Sequence, residues 1–396
     1  MYLPKLSEFS PFSLEKLLGT CFSLPDNKVN CCVLIDLEDP SDVSNLKFLG
    51  LPGNAVQKRA ISYFHDPLCG EVGTKLGLTG CDLFAFKKTG GSNLDPENRL
   101  FSTGGEQVTF TDQVCPNYDL VLAITDYSLT APLTSMAKEY GFRGATLHGL
   151  NEIILNSGLS IDYHLVSRQA ELFRSFLDQA DRFKLTFECF HKTFELVIEC
   201  NNQRAQKSHG LCPSGSPDVA NLPAGEVYFV PEGADGSFPF RFGDGTICEM
   251  IVEHGAITQA ILLNGNADKV KDRQLQLNED PATGIIGELG FGTQLLPFAG
   301  CDIQDEKILG TCHIATGRSD HLGGNLTPEL FNSRQNASHD DILYAPPKTP
   351  EIMVSSVEMT KNGDSITILE NFVPSAPLLE HLEAEYPVDL IRAVPA

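Results

Sequence analysis

The stretch "SHDD" at residues 338–341 sets His339 and Asp341 two positions apart. In an extended segment, side chains i and i+2 leave the same face, so an imidazole and a carboxylate can reach one cation together. A second histidine, His313, lies upstream in "DEKILGTCHIATG" (305–317). Two glutamates stand beside glycine in apolar surroundings: Glu226 in "PAGEVYF" and Glu288 in "IIGELGFG". Burying several carboxylates together is costly unless cations neutralise them. Two histidines and three carboxylates exceed what a simple zinc site needs and suit two adjacent divalent cations sharing a carboxylate. Taken singly, each residue also has an ordinary explanation. An isolated histidine is usually a satisfied core or surface group, and an isolated glutamate is usually a surface charge. Spacing alone leaves metal binding and simple burial evenly matched.

The elements that must position these residues are soluble and folded in character. Of 396 residues, 42% are hydrophobic and 20% charged, which suits a globular chain with two domains or one large one. A net charge of -23 argues against nucleic acid as a partner, because phosphate binding needs basic surface. No apolar run approaches the length of a membrane span, so no membrane partner is expected. The opening "MYLPKLSEFSPFSLEKLLGT" lacks a basic region followed by an apolar core, so a cytoplasmic rather than secreted protein is expected. The 12 cysteines form no CxxC pair, and the adjacent Cys31 and Cys32 suit burial; they read as reduced thiols.

The first half alternates strand and helix patterns. "NCCVLIDL" (30–37), "CDLFAFKKTGG" (81–91) and "YDLVLAITD" (118–126) read as strands, and "SLTAPLTSMAKEYG" (128–141) as a helix closed by glycine. The stretch 162–183 carries one amphipathic face. From "FKLTFECFHKTFELVIECN" (183–201) onward the texture becomes hairpin-like, with Gly, Asp and Asn turns between short strands. The fold class expected is α/β in two domains. An N-terminal α/β layered domain spans 1–184, and a mostly β (α+β) metal-binding catalytic domain spans 185–396. "GGSNLDPENRLFSTGG" (90–105) lacks a GK[ST] ending and reads as a long surface loop over a cleft, while "GFGTQ" (290–294) reads as a tight turn behind Glu288.

The ordered set "NLPAGEV" (221–227), "GELG" (287–290), "DEK" with "HIATG" (305–317), "GGN" (323–325) and "HDD" (339–341) resembles the catalytic domain of the aminopeptidase T / aminopeptidase S metallopeptidases, over about residues 215–350. The resemblance implies that Glu226, Glu288, His313, His339 and Asp341 hold two divalent metals (Zn, Co or Mn). It also implies a homodimer acting on a peptide or small-molecule substrate, the metals activating a bridging water for amide hydrolysis. Glu306 of "DEK" matches the family's glutamate and is a candidate base; the neutral reading pairs it with Lys307. The second catalytic position is Asp320, seven places after His313, where the family carries a tyrosine thought to stabilise the tetrahedral intermediate. A carboxylate cannot donate a hydrogen bond to an oxyanion unless it is protonated, which puts peptide hydrolysis in doubt.

The same superfamily looks to include 2,5-dihydroxypyridine dioxygenase, whose iron sits on two histidines and one aspartate. His313, His339 and Asp341 would supply that triad for Fe(II). The two glutamates rank the hydrolase first, because a single triad has no use for them; the missing tyrosine favours the dioxygenase. A non-catalytic peptide-binding relative ranks third, since a binder has no reason to keep the ligand set.

Overall fold

Apolar, β-branched runs become the buried strands of a mixed α/β fold, seen in a computed structural model that describes residues 1–24 and 28–392. The chain divides into two compact units. One comprises Lys5–Ser167 with His209–Ala224; the other comprises Met1–Pro4, Arg168–Ser208 and the chain from Gly225. The expected division at 184/185 falls within the strand Arg182–Cys189, inside the second unit. Residues 209–224 join the first unit because Val219–Asn221 pairs in parallel with Arg143–Thr146.

The first unit is built on a seven-stranded sheet. Its middle strand, Val29–Leu37, pairs in parallel with Leu78–Lys87 on one side and Leu120–Ala123 on the other. Cys31 and Cys32 lie on this strand and are buried, as a strand covered on both faces requires. The helix Thr130–Tyr140 ends at Gly141, whose φ of 88° only glycine adopts readily. Part of the expected surface loop at 90–105 is strand instead: Leu100–Ser102 pairs antiparallel with the end of Leu78–Lys87, and Leu100 is buried. The apolar Leu100 and Phe101 supply the driving force that a reading based on Gly, Asn and Pro overlooks. All 12 cysteines are free thiols.

The second unit holds two antiparallel sheets. The hairpin Arg182–Cys189 with Lys192–Glu199 forms as the alternation predicts and sits within an eight-stranded sheet. The other sheet has five strands, in the order His339–Tyr344, Cys312–Gly317, Ile286–Gly292, Glu226–Phe229, Gln206–Ser208. Rings such as Phe183, Phe229 and Phe291 meet in the core, with centroids 5.1 and 5.5 Å from Phe183. The edge strand of the larger sheet, Ala256–Asn264, is blunted by a side chain. Gln274, on the helix Ala267–Glu279, accepts from Ala260 N at 2.7 Å and donates to Thr258 O at 3.2 Å, so its amide occupies positions a further strand would take. Among the described residues, no helix is long and apolar enough to cross a membrane.

The expected turn at 290–294 is corrected. Residues 290–292 continue the strand Ile286–Gly292, and their glycines serve close approach rather than turning. A Cβ at Gly290 would lie 2.1 Å from His313 Cε1, and one at Gly292 would lie 2.2 Å from Ile308 O.

Candidate metal centre

Four adjacent strands of the five-stranded sheet carry the donors. Glu226 opens one strand, Glu288 lies within the next, His313 within the third, and His339 and Asp341 within the fourth. Strand register places Gly290 opposite His313 and Ala315 opposite Asp341. A residue with a side chain at 290 would push the imidazole aside, so the glycine beside Glu288 makes room for the histidine across from it. The two histidines and the two glutamates are buried, and Asp341 is partly exposed.

The five residues form two donor groups that share Glu288: Glu226, Glu288 and His313 in one, and Glu288, His339 and Asp341 in the other, with one ligand atom from each residue within 4.8 Å of the rest. The groups differ in quality. His339 Nε2 lies 2.9 Å from Glu288 Oε2 and 3.3 Å from Asp341 Oδ1. Donors bound side by side at ~2.1 Å from one ion stand about 3 Å apart, so this group already has the spacing of a coordination shell. In the other group His313 Nε2 lies 3.4 Å from Glu288 Oε1 and 3.9 Å from Glu226 Oε2.

A lysine accounts for the difference. Lys307, wholly buried, places its ammonium 2.6 Å from Glu226 Oε2 and 2.5 Å from Glu306 Oε1. The Glu226 oxygen that faces His313 is therefore the one already bound by an internal cation. Glu306 thus pairs with Lys307, the neutral alternative for "DEK", and the same lysine also reaches a predicted ligand.

The hydrogen bonds behind the imidazoles differ too. His339 Nδ1 is 2.6 Å from the carbonyl of Arg318, which accepts its proton and leaves the Nε2 lone pair toward Glu288 and Asp341. His313 Nδ1 is buried and has no hydrogen-bond partner among the described residues. A fixed ring with its second nitrogen satisfied is the usual state of a metal-binding histidine. His339 meets that condition and His313 does not.

Charge states follow from the crowding. Burial favours the neutral form of Glu306, and the neighbouring carboxylates Asp341 and Glu226 add to it; against the pull of Lys307, the pKa rises to about 8. Burial opposes charge on His313, but its bond to Glu288 and the surrounding carboxylates lift it to about 9. Burial opposes charge on His339 as well, yet Asp341 and Glu288 raise it well above the usual imidazole range. A cluster that raises two buried imidazoles so far is an environment that stabilises positive charge, and the donor set fits a divalent cation.

Asp320 lies outside both donor groups. It accepts from Arg318 Nε at 2.7 Å, and although burial opposes ionisation, its bonds to His321 and Arg318 hold the carboxyl well below the usual range. It has no proton to donate. The ring of His321 instead packs edge-on against His339, with centroids 4.9 Å apart. Sequence reasoning did not find the reach of Lys307 to Glu226, the carbonyl of Arg318, or the role of Gly290. Of these only Gly290 left a trace, as one of three glycines around Glu288.

No protein-family model matches the chain, and no curated protein matches it in sequence. Among solved structures, the fold is similar to that of 2,5-dihydroxypyridine dioxygenase from Pseudomonas putida KT2440. The TM-score is 0.56 at 12% identity, with 88% of this chain and 92% of that chain covered.

Proposed function

We propose that this chain is a mononuclear metal-dependent enzyme of the ring-cleaving dioxygenase kind, holding one Fe(II) on His339 and Asp341 with Glu288 in place of His313 of the expected triad, because His313 belongs to the other donor group. The observation that carries the proposal is the ammonium of Lys307 on Glu226 Oε2, an internal cation already seated on one donor of the other group. The similarity in fold to a 2,5-dihydroxypyridine dioxygenase supports the choice of chemistry and suggests a dihydroxylated aromatic ring as substrate. Bound there, Fe(II) would supply the redox chemistry that dioxygen insertion requires.

The chain's own groups have separable tasks. Arg318 fixes the tautomer of His339 through its carbonyl. Glu306 retains a proton near neutrality and is a candidate to exchange it with a ring hydroxyl. Asp320, held ionised by Arg318, does not offer the donor that an amide-cleaving site needs for its oxyanion.

A second reading rests on the membership of Glu288 in both donor groups. A carboxylate shared in this way suits two cations, and with them the aminopeptidase-type hydrolase that the sequence motifs resemble. Elemental analysis with two activity assays separates the readings. One iron per chain, with oxygen uptake on adding a dihydroxypyridine, is expected. Two zinc, cobalt or manganese ions per chain with release of amine from aminoacyl amides would overturn the first reading and establish the second.

A further inference from the structure

A cleft of about 700 Å³ opens in the second unit, and none of the five predicted metal ligands lines it. Its volume lies in the range of small-molecule pockets. One wall is a single loop, which contributes Ser319, Gly323, Gly324, Asn325 and Leu326. Internal bonds hold this loop together: Ser319 N donates to Leu326 O at 3.0 Å, and Gly324 N donates to Ser319 O at 3.0 Å. Gln206, which also lines the cleft, donates from Nε2 to Leu322 O at 2.8 Å. Space behind the loop is tight, since a Cβ at Gly324 would lie 2.3 Å from Ser319 Oγ.

The same loop supports His339 from its other side. Arg318, next to Ser319, supplies the carbonyl that holds Nδ1, and His321, inside the loop, packs its ring on the imidazole. Residues that line the cleft and residues that orient a candidate ligand therefore belong to one segment.

The lining defines what could fill it. Val230, Ile286 and Leu330 offer apolar lining, Glu232 offers a carboxylate, and among the described residues no lysine or arginine contributes. Glu232 is exposed, and its Oε2 accepts from Asn201 Nδ2 at 2.6 Å, which leaves further lone pairs on the carboxylate. With a chain charge of -23, such a cleft favours a cation over an anion.

We propose that this cleft binds a small organic cation with a compact apolar body, and that its occupancy shifts His339 through the loop Ser319–Leu326. The inference goes beyond the proposed reaction and holds whether the centre takes one metal or two.

Three probes of the same shape test it on the metal-free protein: benzamidine, benzamide and benzoate. Calorimetric titration is expected to show benzamidine bound about tenfold tighter than benzamide, the worth of one charge-assisted hydrogen bond, and benzoate not bound. Glu232→Gln should bring benzamidine to the level of benzamide, and Leu330→Trp should abolish binding of both. In spectra of protein with 13C-labelled histidine, the ring signals of His321 and His339 should move on binding while that of exposed His254 stays fixed. Failure of all three probes to bind, or unchanged binding to Leu330→Trp, would overturn the site. Binding that leaves His321 and His339 unmoved would overturn the coupling. Because no metal is present in these measurements, their outcome is separate from that of the proposed function.

Discussion

His339 and His313 differ by one hydrogen bond, and that difference is testable. With Nδ1 held by Arg318, His339 is pre-set for a cation, whereas His313 has no such support among the described residues. We expect His339→Ala to reduce metal affinity at least about 100-fold and His313→Ala by about tenfold or less, in line with ligand against supporting roles; competition with a chelator measures both. Equal losses would place the two histidines on the same footing and favour two metals. Both imidazoles also hold protons at neutral pH in the metal-free protein, His313 up to about 9 and His339 well above the usual imidazole range. A metal must displace them, so affinity should climb as pH is raised from 6 to 9, with protons released on binding. Calorimetry in buffers of different ionisation heat counts those protons, and a pH-independent affinity would contradict the assigned charge states. At this scale the sequence was informative about identity: all five predicted donors come together, because His and carboxylate in apolar segments have few other reasons to be there. It was silent about direction. Lys307 adjoins Glu306 in the chain, but nothing in that adjacency says that its ammonium also meets Glu226.

Strands and glycines set the spacing. The strand Ile286–Gly292 is buried along its whole length and carries a carboxylate, which is partnered by His339 at 2.9 Å and by His313, across from Gly290 on the neighbouring strand, at 3.4 Å. Gly290→Ala should destabilise the protein by about 1–3 kcal/mol through overpacking against the imidazole. The double variant Gly290→Ala with His313→Ala should recover part of that loss, since the clash needs both side chains. Thermal melts of the three variants check this, and an additive double variant would show that the ring was not the obstacle. Lys307→Met tests the same sheet electrostatically. Removing the ammonium strands the Glu226 carboxylate, so the metal-free variant should lose about 3–5 kcal/mol, the cost of breaking a buried ion pair. A second divalent cation should replace it, raising stoichiometry from one to two. The pairing pattern that makes these arguments possible was only partly legible. Hairpin alternation identified the strands from 183 onward, whereas the glycines at 290–292 read as a turn because a glycine that admits a neighbour and one that bends the chain look alike in sequence.

For the whole molecule, the centre links chemistry to folding. Protonated His313 stabilises the fold at pH values below its ordinary 6.5, and that contribution is lost as pH rises through about 9; Glu306, raised to about 8, acts in the same direction. The metal-free protein should therefore melt at a lower temperature at pH 9 than at pH 6.5, and saturating metal should remove most of the difference; melting curves at the two pH values with and without metal decide it. The division of the chain was less legible than the ligands. Nothing in the composition of residues 209–224 marks them as part of the first unit, because the assignment rests on three residues of parallel pairing and on bonds from Cys212 to Cys21 and Arg143. Gln274 has a consequence at this scale as well. One amide, in neither donor group, stands where a neighbouring copy's backbone could dock. Its replacement by an apolar side chain would turn the rim of a large sheet into a template for fibrous growth, so the shelf life of concentrated protein hangs on a residue that no activity assay would single out.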